Sequence, residues 1–239
     1  MRSLAFFKKE LMQLSKTSRL ISVSAVFVFF GLLSPLTARY MNEILASVGA
    51  GLDFNFPDPT YVDAWLQFFK NTSSICLIVF LLTMTGCVAG EKSKGSVLLV
   101  LTKQVSRSNF LISKMASGFM LFTVAYLIST GACFYYIFVL FPDAGTVGLP
   151  LALFATWVEG LFFAVFAVFA STLAKSPTSA AIIGFAGYAV LSIPTAFEKM
   201  IKFTPAGLTA QSTNLILGIA KTDEVYVSIA IAFVFTVVI

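Results

Sequence analysis

Apolar residues run through this chain in long blocks separated by short polar stretches. Six blocks read as helical spans: Ile21–Leu36, Ser73–Gly90, Ala116–Phe141, Leu149–Ala174, Ala180–Phe197 and Val225–Ile239. A helix needs about 20 residues to cross the hydrocarbon core of a bilayer. The third and fourth blocks exceed that, so they are expected to tilt or to project into water. The last block stops at the chain end, and the natural protein is expected to continue a little further. The pattern predicts an all-α integral membrane protein: six transmembrane helices in a single transmembrane domain over residues 1–239.

The first twenty residues have a different rhythm. Leu4, Phe7, Leu11 and Leu14 recur at spacings of three and four, which puts them on one face of a helix. Lys9, Gln13 and Lys16 fall on the opposite face, and only Phe6 interrupts the pattern. This predicts an amphipathic interfacial helix over 1–20, held by apolar burial and by attraction of its lysines to anionic lipid. A disordered tail is the alternative. Arg2 to Arg19 contains no small-residue cleavage site, so the first span is expected to be retained rather than removed as a signal.

Composition strengthens the membrane reading. Hydrophobic residues make up 58% of the chain and charged residues 11%, with a mean hydropathy of +0.93. A soluble domain carries about 25% charged residues. The 26 Phe residues suit helices that face lipid or a cavity. The net charge of +5 does not indicate nucleic acid, because the charges lie between apolar blocks and not on one soluble face. Cys76, Cys87 and Cys133 all fall inside apolar blocks and read as small buried hydrophobes. The chain has no His, which excludes chemistry that needs imidazole.

Charge also predicts orientation. With the N-terminus in the cytoplasm, the inner segments hold Arg2, Lys8, Lys9, Lys16, Arg19, Lys92, Lys94, Lys103, Arg107, Lys114 and Lys175, against Glu10 and Glu91. The outer segments hold only Arg39, Lys70, Lys199, Lys202 and Lys221, against eight acids. Basic residues favour the cytoplasmic side, and the opposite topology would invert this balance. The outer loop from Thr37 to Thr72 carries Asp53, Asp58 and Asp63. It reads as a solvated loop, with a cation site as the rival. Trp65, Phe68 and Phe69 are expected at the outer interface, where aromatic rings are favoured.

The inner loop over 91–115 is the most informative segment. Val97, Leu98, Leu101 and Val105 can line one helical face, and an apolar helix in a loop exposed to water needs a lipid or protein partner. Ser106 or Ser108 is placed to cap the helix that becomes the third span. Glu91, Lys92, Gly95, Ser96, the apolar run Val97 to Leu101, then Val105, Ser106, Arg107 and Lys114 together resemble the permease subunits of type-2 ABC exporters. In that family an acid ends the second span, and a basic cluster, a Gly with a small hydroxyl residue, an apolar run and a Pro-Val-Ser-Arg-like element follow. This chain has Gln104 where the family often has Pro. Phe7, Lys8, Lys9 and Glu10, with Leu11, resemble the family's elbow helix. Ser171 to Ser176 resembles its short inner turn, and Thr204 to Gly207 the outer segment before its last span.

The resemblance implies a transport subunit and not an enzyme. It implies a second permease protomer, as in a homodimer, and two copies of a cytosolic ABC ATPase that carry the ATP and Mg. The segment containing Glu91, Gly95, Ser96, Leu98, Leu101 and Arg107 is then the coupling helix that receives the ATPase movement. This chain has no G-x-x-x-x-G-K-[ST] element to cradle phosphates, so no cofactor is expected on it. By the same resemblance spans two and five border the path between protomers, which makes Phe80, Met84, Tyr188 and Leu191 candidate path residues. Lipid contact or packing is the alternative for each.

Glu159 is the one carboxylate deep inside a predicted span. An ionisable group there is costly and is a functional candidate by default. A transport role and a hydrogen bond to a Ser or Thr of a neighbouring helix both stand. Ala180, Gly184 and Gly187 in span five suggest close helix packing. The Phe-rich, carboxylate-poor spans suit an apolar or amphipathic cargo, such as a peptide toxin, a phenol-soluble modulin or an antimicrobial peptide, better than a bare metal ion. Permeases for drugs, sodium or copper-site assembly are the alternative within the family. An ion-driven secondary transporter should show related halves with matching broken spans, and a membrane enzyme convergent polar groups; the sequence shows neither pattern.

Overall fold

A computed structural model describes residues 2–48, 58–97, 106–142, 145 and 147–238. Among them the elements are helical, with no strand. Helix α1 (Arg2–Lys16) is followed by α2 (Ser18–Arg39) and α3 (Met41–Val48). Helix α4 (Tyr61–Asn71) passes through a π-helical turn (Thr72–Cys76) into α5 (Leu77–Ser93). Helices α6 (Arg107–Leu140), α7 (Leu149–Leu173) and α8 (Pro177–Ser192) complete the long elements. A 3-10 turn (Ile193–Ala196), the short α9 (Glu198–Ile201), a second 3-10 turn (Pro205–Gly207), α10 (Leu208–Ile216) and α11 (Thr222–Val238) follow.

Five stretches are long and apolar enough to cross a membrane: Ser18–Arg39, Tyr61–Ser93, Arg107–Leu140, Leu149–Leu173 and Pro177–Ala196. They match the first five predicted blocks, of which the third, fourth and fifth run one residue past the helical stretch. Helix α11 lies where the sixth was predicted, but with 17 residues it is not among these five. The second stretch starts at Tyr61, well before the predicted Ser73, and much of the predicted loop is helix. The reason lies in α4, where Ala64, Trp65, Phe68 and Phe69 share one buried face. These aromatic rings therefore pack among the neighbouring helices: Trp65 meets Phe68 edge-on at 5.7 Å between ring centroids. Asp63 closes a capping box, its carboxylate accepting from the backbone N–H and hydroxyl of Thr60, both at 2.8 Å. Of the three loop acids, Asp53 lies outside the described residues.

Successive long helices run antiparallel, which gives the bundle two ends. Ser18, Ser93, Arg107, Leu173 and Pro177 mark the basic end; Arg39, Tyr61, Leu140, Leu149 and Ala196 mark the acidic end. Cross-links at every depth tie the helices in this register. Asn71 donates to Ser34 Oγ at 3.0 Å, Tyr126 to the Leu153 carbonyl at 2.9 Å, and Trp157 to Thr123 Oγ1 at 3.1 Å. Helices α2 and α6 meet closely at Gly31, where a Cβ would lie 2.6 Å from Ser129 Oγ. Ser129 uses that proximity to donate to the Phe27 carbonyl at 2.6 Å. Small residues let helix backbones approach where no water drives association.

Helix α7 is the centre of the bundle, with 61% of its apolar window buried; for the stretch containing α8 the share is 11%. The rings of Phe27 and Phe80 pack edge-on against Phe122, at 5.7 and 5.2 Å. As the small residues predicted, α8 lies close on its neighbours: a Cβ on Gly184 would meet Thr85, and one on Gly187 the Phe166 ring. The α8 helix ends at the 3-10 turn that contains Pro194. Beyond it the chain turns back into the bundle. Thr209 bonds Glu159, Ser212 bonds the Ala152 carbonyl, and Leu215 lies 3.5 Å from the Cβ position of Gly148. Helix α10 therefore runs antiparallel to α7, with its N-terminus deepest.

Candidate functional site

Two polar clusters stand out in an apolar bundle. The first lies at the basic end and joins three elements. Lys114, in the second turn of α6, is 3% exposed along its side chain. Its Nζ donates to Glu10 of α1 at 2.8 Å and to Glu91 of α5 at 2.6 Å. Lys9 adds a contact with the other oxygen of Glu10, at 3.0 Å. Two cations thus face two anions, and the pairing offsets the cost of burying each charge. Glu91 Oε2 is buried and has no hydrogen-bond partner among the described residues.

This cluster shapes the start of the inner loop. Lys92 Nζ donates to the Thr172 carbonyl at 2.5 Å, and Ser171 Oγ accepts from the N–H groups of Val88 and Ala89. The last turn of α5 is thereby fastened to the end of α7. Gly95 then ends the helix with φ +70, its N–H bonding the Lys92 carbonyl at 3.0 Å. That left-handed conformation is where glycine costs least. Ser96 donates to the Glu91 carbonyl at 3.1 Å. Leu98 and Leu101 lie outside the described residues. Arg107 is exposed and opens α6, whose N-cap is Ser106; the Ser106 hydroxyl accepts from the Asn109 N–H at 3.2 Å. On α1, which also carries Leu11, Phe7 is half-buried while Lys8 and Lys9 are exposed.

The second cluster lies about 15 Å along α7 from Leu149, at 1.5 Å per residue. Glu159 is 3% exposed. Its Oε2 accepts from the Thr209 N–H at 2.9 Å and from the Thr209 hydroxyl. Thr209 is the second residue of α10, so its N–H is one of the four that a helix start leaves without an internal partner. The carboxyl also sits at the positive end of the helix dipole. Of the two roles that the sequence left open for Glu159, the neighbouring-helix hydrogen bond is present.

A cavity of about 470 Å³ opens beside this cap, between α4, α7, α8 and α10. Glu159, Tyr188, Ser192 and Thr209 border it, with Lys70 on α4. Tyr188 donates to the Ser73 carbonyl, inside the π-helical turn, at 2.8 Å. Of the other candidate path residues, Leu191 is half-buried, while Phe80 and Met84 are buried in the core. No group of three or more Asp, Glu or Cys capable of holding a metal occurs among the described residues.

The model of a family described as ABC-2 family transporter protein matches residues 4–197, which take in most of α1, all of α2 through α8 and the whole basic-end cluster. The chain belongs to the ABC-2 transporter family. It is similar to the "Uncharacterized transmembrane protein YxlG" of Bacillus subtilis (strain 168), with 28% identity over 230 residues. That similarity covers 92% of this chain and 87% of the relative. ABC-2 membership, a transmembrane relative and five apolar helices make this a multi-pass membrane protein. In this ABC-2 chain the family match stops before α10, so the helix that Glu159 caps lies beyond the matched residues.

The Glu10–Lys114 contact is the part of the site that local sequence reading misses. Both residues were legible separately, Glu10 in the amphipathic segment and Lys114 at the start of a span. The one available signal is that Glu10 falls close to the apolar stripe of α1, between Phe7 and Leu14, where a carboxylate needs a partner.

Proposed function

We propose that this chain is the membrane permease of an ATP-driven exporter, paired with a second copy of itself and with two cytosolic ABC ATPase subunits. The observation that carries this reading is the Lys114 cluster. It ties the N-terminal helix, the end of the second span and the start of the third into one unit at the root of the 91–107 loop. A displacement applied to that loop would reach α1, α5 and α6 together, because buried charge pairs resist separation. In this reading α1 is the elbow helix and the loop holds the coupling helix. Glu91 has its carboxylate turned inward to Lys114, so its part is to set the loop's angle rather than to contact the ATPase.

The weakly covered α8 supports a protomer interface or a path along that face, with Tyr188 and Leu191 on it. The excess of basic residues supports an N-terminus and a 91–115 loop on the cytoplasmic side of the cell membrane. Helix α11 is the sixth span. The cargo is an apolar or amphipathic molecule, with an amphipathic peptide the best match to Phe-rich spans.

Copurification tests the reading. Gly95→Pro and Leu98→Asp lie outside the spans and leave insertion intact. Each should weaken capture of the ATPase or uncouple its hydrolysis from transport, since an apolar interface anchor is worth more than about 1 kcal/mol. Wild-type capture and transport in both variants would remove this loop from the coupling role.

A further inference from the structure

The cavity beside Glu159 has features that packing alone leaves unexplained. Both Thr209 bonds fall on Oε2 of the carboxyl. Oε1 has no hydrogen bond, and Glu159 has no ion-pair partner, among the described residues. A carboxyl this buried is ordinarily ion-paired, fully hydrogen-bonded or kept neutral, because a charge there without a partner is costly. The group nevertheless borders a cavity of about 470 Å³, within the size range of small-molecule sites.

The surroundings are built for a ligand that is polar at one point and apolar elsewhere. The walls mix Ile201, Ala206 and Leu66 with the hydroxyls of Ser192, Thr195 and Thr213. The π-helical turn at Thr72–Cys76 forms one side, with Ser73 at the cavity and its carbonyl taken by Tyr188. Such turns insert a residue into a helix and recur at functional sites. Non-helical backbone at membrane depth is tolerated where it is buried in protein or lines a wet cavity, and the turn before α10 meets that condition. The other titratable groups at the cavity are Tyr188 and Lys70. Tyr188 is engaged with Ser73, and Lys70 is exposed, so its charge is screened by water.

We propose that this cavity binds a protonated amine carried on an apolar body, with the ammonium group on Glu159 Oε1 and the body against Ile201, Ala206 and Leu66. The bound amine supplies the counter-charge that Glu159 lacks, and the hydroxyls accept its remaining N–H groups. This deepens the exporter reading, on which it rests: the cargo class becomes amphipathic amines, which includes peptides with a free N-terminus or lysine side chains. Bare cations fit less well, because a small ion would leave the apolar walls uncovered.

The probe is 4-phenylbutylamine, titrated calorimetrically into the full chain in lipid nanodiscs, with empty discs subtracted. The comparators are 4-phenylbutanol and 4-phenylbutyrate. The wild type should bind the amine about tenfold or more tighter than the alcohol, as a charged hydrogen bond in a buried site is worth that much. Glu159→Gln should abolish the preference and leave the alcohol unchanged. Thr213→Phe fills the cavity without touching the Glu159–Thr209 bonds and should abolish binding of both. Equal affinity for amine and alcohol in the wild type overturns the site, as does a preference that survives Glu159→Gln. If Glu159→Gln does not fold, unchanged amine binding in Thr213→Phe overturns it equally. None of these arms contains the ATPase, so their failure removes the amine site, while copurification separately decides the exporter reading.

Discussion

Glu10 and Lys114 lie 104 positions apart in the chain and meet at 2.8 Å in the buried base of the bundle. Glu91 completes the contact from the other side at 2.6 Å. The N-terminal helix is therefore not a free surface anchor: one charged group fastens it to the second and third spans.

Removing Lys114 alone should be severe. Lys114→Ala leaves the Glu91 carboxylate without its counter-charge and the buried Glu10 with only the exposed Lys9, a loss of about 3–5 kcal/mol. The purified chain should show a markedly lower melting temperature in detergent. Replacing all three partners, Lys114→Met with Glu10→Gln and Glu91→Gln, should recover much of that stability. If the single variant melts with the wild type, the cluster is not holding these helices together.

Glu159 should act on α10 through its acceptor oxygens. Glu159→Leu strands the Thr209 N–H and hydroxyl in a buried setting, which costs about 1–3 kcal/mol. Amide exchange across Leu208–Ile216 should rise. Glu159→Gln keeps one acceptor and should protect the helix better. Equal protection in Leu and Gln variants would show that the cap contributes nothing to α10.

Sidedness is open to direct labelling. A cysteine placed at Asp58 should react with an impermeant thiol reagent from outside, and one at Ser93 only after the membrane is opened. Cys76, Cys87 and Cys133 are buried, so their background should be low. The reverse pattern would sink the cytoplasmic N-terminus.

Packing at Gly187 makes a sharper structural prediction. A Cβ there would lie 2.1 Å from the Phe166 ring. Gly187→Val should push α8 off α7 and lower stability by about 1–3 kcal/mol, the range for overpacking. Adding Phe166→Leu to Gly187→Val, which removes the clashing ring, should restore part of it. Gly86, whose added Cβ would meet nothing within 4 Å, is the control.

The sequence by itself determined the membrane class, because long apolar blocks with few charges leave a helix in lipid as the way to satisfy the backbone. It also narrowed the cap of α6 to Ser106 or Ser108, since a cap depends on neighbours within one turn, and the structure takes Ser106. The extent of the second span was decided by tertiary packing. Trp65, Phe68 and Phe69 are equally suited to an interface and to a core, and only the neighbouring helices bury them. The same holds for the charges. Glu10, Glu91 and Lys114 each read locally as a polar residue beside a span, and Glu159 as an isolated acid. What pairs the first three, and sets the last on Thr209, is the closure of elements 23 to 104 residues apart. No local periodicity encodes such contacts; they follow from burial, which forces each charge or acceptor to find the partner that the fold brings within reach.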